Sequence, residues 1–539
     1  MIERLLENWL DNASERSYQL PFAQILIDQG HTILHSTRHA PIEFGKDIIS
    51  LDPSGTLCAY QLKSIHGRKL RLRELEQMLP QLNELVSAKF EHPSVNATTW
   101  HKSHLVINGE LEEEASELLN KINRGYVDQD MPERQLKTVV RGELLTHALK
   151  VSDRLFPSEL TNIKLLLELY LEDGGRVFPK EKFADLMASC LPMLMNTKKR
   201  VTDSKCGSAI SSLPLLSSIA MSSFSSCNNF FGELEAWIIC WSYMAAVTEK
   251  YGLADKHWTS TSELIEERIL ILLESLVKDL EVDPDAIMGD AITEPLFYKP
   301  RITLLCSLVS AYAIWMRLRK QDGGARIDFC RSFLLENHKK SILWGEGAVP
   351  QFLCQYWYLK CIDSSPAPDL MLGSVLDVLC RLNRFGSTQT LPSPYYDVQD
   401  IVCARVGVPG CEIDDSFAGE SYTSESLMHL FVRLMWKQNA RLLWPGYTKV
   451  RNCHIDFNEV WSNYMWRVSG SGVPRSAWPK RKKEWGELRS EACECAGEGV
   501  PLLLKKRPHL FPLFLIVYPH RCTSEFVRWL DSYLWNALW

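Results

Sequence analysis

Residues 42–63 (IEFGKDIISLDPSGTLCAYQLK) hold two β-prone runs around a short turn, and this pattern constrains the fold more than any other part of the chain. Asp47-Ile48-Ile49 opens the first run, Asp52-Pro53-Ser54-Gly55 makes the turn, and the second run goes from Leu57 to Lys63. Proline presets its own φ, glycine accepts positive φ, and Asp and Ser bond to nearby backbone, so the four together read as the bend of a hairpin. With the bend centred near Ser54, positions 47 and 61 lie equally far from it, and antiparallel pairing sets Asp47 opposite Gln61. Directly opposed Cβ atoms lie roughly 5 Å apart. Gln61 and Lys63 are two apart and share one face, while Tyr60 and Leu62 take the other. Glu43 falls on the face of Asp47, two alternations earlier. A carboxylate, an amide oxygen and a lysine thus converge on one small patch.

Such a patch suits a hard divalent cation. Mg²⁺ is usually held by one or two carboxylates and keeps several waters in its shell. At a phosphodiester it polarises the phosphoryl group and lowers the pKa of the attacking water. Asp47 is the main candidate ligand, Gln61 an oxygen donor or water-orienting group, and Lys63 a point charge for the nucleophile and the developing phosphorane. Glu43 can complete the shell through water.

Gly45-x-Asp47, a turn, and an apolar strand ending Gln61-x-Lys63 resemble the active-site signature of the PD-(D/E)xK restriction-endonuclease-like superfamily, in the QxK variant of Mrr-like type IV restriction enzymes. The flanks fit the same pattern. Residues 20–29 read as a helix with Pro21 in its first turn, ended by Gly30. An apolar stretch follows at 31–35. Residues 72–88 carry leucines at 72, 75, 79, 82 and 85, one helical face. Residues 104–107 read as a strand and 111–122 as a helix. The resemblance implies an αβββαβα domain over residues 14–125 and Mg²⁺- (or Mn²⁺-) dependent cleavage of DNA. It further implies a role in bacterial restriction or anti-phage defence, with a partner protein for sensing or energy. Many members carry a glutamate on the first helix. Here the best-aligned polar residue is Gln24, a candidate metal ligand, with Glu15 further upstream. Two alternatives stay open: a catalytically inactive nuclease-fold scaffold, and a nuclease acting on RNA. Cutting both strands at once takes two sites, so a homo-oligomer is expected.

Substrate contacts are expected from two basic stretches. Arg68, Lys69, Arg71 and Arg73 follow the hairpin without an intervening acid, and clustered cations beside a phosphate-cleaving site are what a polyanion requires. Residues 1–125 nevertheless hold 13 Lys+Arg against 17 Asp+Glu, a net charge of −4, so any DNA affinity must be local. Near the C-terminus, RSAWPKRKK places Lys480, Arg481, Lys482 and Lys483 beside Trp478, with Trp485 following. Cations interleaved with aromatics suit a nucleic-acid path or a protein interface.

At 539 residues the chain exceeds what one core holds, and a net charge of −6 announces neither nucleic acid nor membrane. No low-complexity tract argues for disorder. The 16 cysteines are scattered through apolar stretches with no signal-peptide pattern before them, so free buried thiols in a cytoplasmic protein are expected. Cys493-x-Cys495 and Cys453 lack the two-pair spacing of structural zinc. Residues 206–232 are too rich in serine, and 302–316 too short, to span a bilayer, so no membrane association is expected. Beyond residue 130 apolar residues recur at three-to-four spacing, and 513–518 (LFLIVY) carries the strongest late strand signal. The expected architecture is a multidomain α+β/α chain. It comprises a restriction-endonuclease-like domain over 1–128, a helical domain over 129–400 and a mainly helical C-terminal domain over 401–539.

Overall fold

A computed structural model describes residues 2–36, 46–65, 69–88, 100–153, 160–195, 201–284, 295–321, 323–387, 389–413, 419–467, 472–493 and 497–538. The chain is mixed α/β, with a small N-terminal sheet and a large helical remainder. Its contacts divide it into two units, Met1–Ile271 and Leu272–Trp539. The boundaries expected near 128 and 400 fall inside these units.

In the first unit two helices, α1 (Ile2–Asn12) and α2 (Glu15–Asp28), precede a five-stranded sheet. Its strands are β1 (Thr32–Ser36), β2 (Ile48–Leu51), β3 (Leu57–Lys63), β5 (Lys102–Ile107) and β7 (Leu136–Val139), in that spatial order. The short β4 (Lys69–Leu70) and β6 (Glu110–Leu111) pair with each other at one side. Strands β1, β2 and β3 run antiparallel, and β3, β5 and β7 run parallel. Parallel neighbours need long crossovers, and α3 (Leu72–Ser87) and α4 (Glu113–Asp128) supply them. Ile49, Leu57, Ala59, Leu105 and Ile107 bury one face of the sheet against Leu75, Leu82 and Leu85 of α3 and Leu119 of α4. Alternate residues face the other way: Tyr60 meets Phe22 of α2 edge-on at 5.4 Å and stacks on His104 at 4.6 Å.

The hairpin bend is held by Asp52. Its Oδ1 accepts from Ser54 N (3.0 Å), Ser54 Oγ (2.6 Å) and Thr56 N (2.8 Å), and Lys102 Nζ lies 3.1 Å from Oδ2. Gly55 takes the φ of +78° that the bend demands. Four donors hold the Asp52 carboxyl well below the usual carboxylate range, the Ser54 hydroxyl foremost. This contribution is present above the unfolded carboxylate pKa and fades as pH falls through the depressed folded value. Asp52→Ala is expected to speed amide hydrogen exchange at Ser54 and Thr56 relative to the β3 core, read by mass spectrometry or NMR. Unchanged exchange there would show that the bend does not need this carboxylate.

The structure departs from the sequence expectations at several points. Helix α2 starts five residues earlier than expected, at Glu15, because Ser14 caps it by accepting from Ser17 N at 3.3 Å. Pro21 therefore sits in the helix interior rather than its first turn. The sheet continues past residue 128 into β7, whose pairing partner β5 lies some thirty residues back in the chain. Residues 511–517 form a fully buried helix rather than a strand. A short apolar run carries no periodicity that separates the two, and Pro512 at the helix start favours the helix.

Buried helices fill the rest of the first unit. Phe230–Tyr251 is sealed on almost every side and carries two buried ion pairs, Glu235 with Lys180 (2.9 Å) and Glu233 with Arg268 (2.7 Å). In the second unit the helices Pro295–Leu318 and Val349–Ile362 pack around fully buried Trp315, Tyr356 and Trp357. Tyr298–Leu318 is apolar and long enough to cross a membrane, but 72% of its most apolar window is covered by the protein, as in a core helix. The second unit also contains a sheet that the sequence did not suggest: β8 (Glu420–Ser421), β9 (Arg451–Phe457) and β10 (Gly472–Ala477), in the order β10-β9-β8. All described cysteines are free thiols, most of them buried.

Candidate active site

Ile48 pairs with Tyr60 and Leu51 with Leu57, but Asp47 N donates to Tyr60 O at 2.8 Å, one step out of that register, so the described pairing does not set Asp47 opposite Gln61 as the turn-centred count expected. The Asp47 carboxylate turns to the end of β3, where Oδ2 accepts from Leu62 N at 2.6 Å. Lys63, one residue on, is largely covered, and its Nζ lies 3.5 Å from Glu15 Oε1. The same Glu15 oxygen accepts from Ser64 N at 3.4 Å.

Glu15 reaches this point because the α1–α2 junction is tied to the sheet. Asn108, buried just after β5, donates through Nδ2 to Leu10 O (2.9 Å) and Ala13 O (3.1 Å), and its Oδ1 accepts from Ile65 N (2.7 Å). Ser64 Oγ donates to Ala13 O at 2.9 Å. One turn into α2, the Tyr18 hydroxyl spans the strand ends, donating toward Lys63 O (2.9 Å) and Val106 O (3.2 Å). Burial pushes the Tyr18 phenol far above its ordinary range, and the Glu15 and Asp47 carboxylates, both close to it, push it further. Two acids and one lysine are therefore gathered at the C-terminal end of β3, under the start of α2.

Gln61 is buried on the side of α3. Its Nε2 donates to Gln81 Oε1 at 3.1 Å, and its Oε1 is buried with no hydrogen-bond partner among the described residues. Gln24 does not join the group. It is buried further along α2, where its Oε1 accepts from Thr261 Oγ1 at 3.2 Å, so the acid that the first helix brings to the lysine is Glu15. Glu43 and Arg68 lie outside the described residues. Lys69, Arg71 and Arg73 are exposed, as are Lys480, Arg481 and Lys482 in the second unit, where Lys483 is half-buried and bound to Glu491.

Three residues of this neighbourhood carried no clear sequence signal. Tyr18 and Asn108 act through long-range bonds to backbone, which spacing along the chain cannot reveal. Lys46, next to Asp47, is buried, which pushes its ammonium down to about 8 while Glu84 pulls it back up.

For a divalent ion the oxygens gathered at the end of β3 are the carboxylates of Asp47 and Glu15, while the partnerless Gln61 Oε1 lies on the side of α3. Among the described residues no group of three or more His, Cys, Asp or Glu could hold a metal. The two acids are oxygen donors, without the Cys and His ligands that structural zinc takes. No family model, curated protein or solved structure matches the chain.

Proposed function

We propose that the N-terminal site hydrolyses phosphodiester bonds of nucleic acid, DNA first, with Mg²⁺ or Mn²⁺ as cofactor. One observation carries the reading: the Asp47 carboxylate turns to Leu62 N at the end of β3, where the next residue, Lys63, meets an acid from α2. The order of elements supports it, since an antiparallel hairpin followed by a parallel crossover is the core the PD-(D/E)xK resemblance implies. Asp47 and Glu15 would hold the ion, which when bound activates water and polarises the phosphoryl oxygen. Lys63 sets its ammonium beside the Glu15 carboxylate, where it would neutralise negative charge gathering on the phosphate. Glu15 fixes the direction of that ammonium, and Tyr18 holds the strand end beneath it.

A second reading rests on a specific contact. The Asp47 carboxylate is engaged by Leu62 N–H, and Lys63 by Glu15, so both groups have partners within the chain. On that reading the domain binds nucleic acid or a partner without cutting. Supercoiled plasmid and single-stranded RNA, incubated with the full chain and Mg²⁺ or Mn²⁺, separate the two. Nicks or fragments that vanish with EDTA support hydrolysis. Intact nucleic acid, together with no heat of Mg²⁺ or Mn²⁺ binding in calorimetry, supports the binding protein.

A further inference from the structure

The basic and aromatic segment 475–483 forms one wall of a cleft of about 790 Å³ in the second unit. Small-molecule sites span roughly 300–1,000 Å³, so this volume holds a ligand of nucleotide size. Strand β10 is the edge of its sheet, and every described side chain from Val473 to Trp478 is exposed, Trp478 at 53%. The same cleft is lined by Tyr422, Trp444 and Phe526, and by Glu425, His429 and His454, the last on β9 in register with Arg475 of β10. His429 is buried, with Nδ1 2.6 Å from Ser524 Oγ, and His454 Nε2 lies 3.2 Å from Asp456 Oδ1.

The balance of charge decides what class of ligand fits. Arg475 is paired with Asp456 and Lys483 with Glu491, so these cations are largely neutralised. Lys480 also lines the cleft, and no acid among the described residues pairs with it. Arg481 and Lys482 point elsewhere, since neither lines the cleft. Arg528 also lines the cleft, bonded to the carbonyls of Ser524 and Glu491, and the acids Glu425, Asp456, Glu491 and Glu525 stand among these cations. A duplex would need a row of unpaired cations along its phosphates, which this mixed lining does not provide. An exposed indole, further aromatic walls, and acid and imidazole groups inside match a flat heteroaromatic ring with polar edges. A single unpaired lysine at the rim matches one phosphate.

We propose that this cleft binds one nucleotide unit, its base against Trp478 and its phosphate on Lys480. The unit is either a free nucleoside monophosphate or an unpaired nucleotide of a strand; both present the same ring and phosphate. The assignment stands whether or not the N-terminal site cleaves anything.

Isothermal titration calorimetry on the full chain tests it, with the four ribonucleoside 5′-monophosphates in one arm and single-stranded DNA octamers in the other. Saturable binding is expected in at least one arm, with a Kd below about 1 mM. Response to the monophosphates identifies a free nucleotide, and response to the octamers alone identifies a strand. Trp478→Ala and Lys480→Ala change exposed side chains, and each is expected to weaken binding about tenfold. Titrations in EDTA, which withholds any divalent ion from the N-terminal site, are expected to give the same affinity, which keeps this site distinct from the N-terminal one. No saturation in either arm, or wild-type affinity in both cleft variants, would overturn the proposal.

Discussion

Lys63→Ala is expected to lower metal-dependent cleavage by about 10²–10³-fold, the usual loss when one group facing developing oxyanion charge is removed. The reasoning depends on what else the lysine does. Its partner Glu15 is partly exposed, and the ion pair is long at 3.5 Å. Such pairs contribute less than about 1 kcal/mol to stability. The variant should therefore fold, with an unchanged circular dichroism spectrum, and a lost rate cannot be ascribed to unfolding. Asp47→Asn is the sharper companion. It keeps an oxygen for Leu62 N–H but discards the negative charge, so the Mg²⁺ concentration giving half-maximal cleavage should rise by about tenfold or more. Glu15→Gln retains an acceptor for Ser64 N and should show a smaller loss. Wild-type rates in Lys63→Ala and Asp47→Asn would leave the hydrolytic reading without support.

The largest stability effect is expected at a carboxylate far from this chemistry. Glu346 is 1% exposed, just before the helix Val349–Ile362. Its Oε2 accepts from Ser421 Oγ (3.0 Å), Tyr422 N (2.9 Å), Thr423 N (3.0 Å) and Thr423 Oγ1 (2.8 Å). Its Oε1 accepts from Asn383 Nδ2 at 2.7 Å, and Asn383 Oδ1 in turn accepts from Leu391 N at 2.9 Å. Three separate stretches of the second unit meet on one side chain. Glu346→Ala strips all of these donors of their acceptor and is expected to cost about 3–5 kcal/mol in denaturant unfolding. Loss of less than about 1 kcal/mol would show that water or rearrangement replaces the carboxylate.

Its pH dependence follows from burial. Desolvation pushes the Glu346 carboxyl up to about 7, against the pull of its donors, of which the Thr423 hydroxyl is the strongest. An unfolded glutamate titrates near 4.3. Between those values the folded state holds the extra proton, so this contribution is complete below about pH 4 and is lost as pH climbs through about 7. Glu346→Gln, a neutral mimic of the protonated acid, should flatten that part of the stability profile between about pH 5 and 8. A profile with the same slope in both proteins would assign the dependence to other groups.

How far the sequence could be read depended on the range of the interaction. The hairpin was legible because its register is local: the observed pairs from Ile48–Tyr60 to Leu51–Leu57 are centred on Ser54, while at Asp47, whose N donates to Tyr60 O, the backbone leaves that register, which the count from the turn could not reveal. Helices α3 and α4 and strand β5 also followed from their apolar spacing. The acid opposite Lys63 was not legible. Pro21 drew the expected helix start toward itself, whereas Ser14 caps the helix and carries Glu15 into the site. The small sheet of the second unit escaped because β8 and β9 pair across some thirty residues, and neither has the β-branched composition that marks a strand in isolation. The basic run at 480–483 was visible, but its division into a cleft-lining Lys480, a neutralised Lys483 and two solvent-facing cations was not.

Asn108 carries an implication for anyone working with this protein. It joins the loop after Lys63 to the carbonyls of Leu10 and Ala13, so the end of α1 and its junction with α2 are mechanically part of the floor on which Glu15 stands. Trimming the first dozen residues, or fusing a bulky tag against them, would tug on the lysine through that one amide.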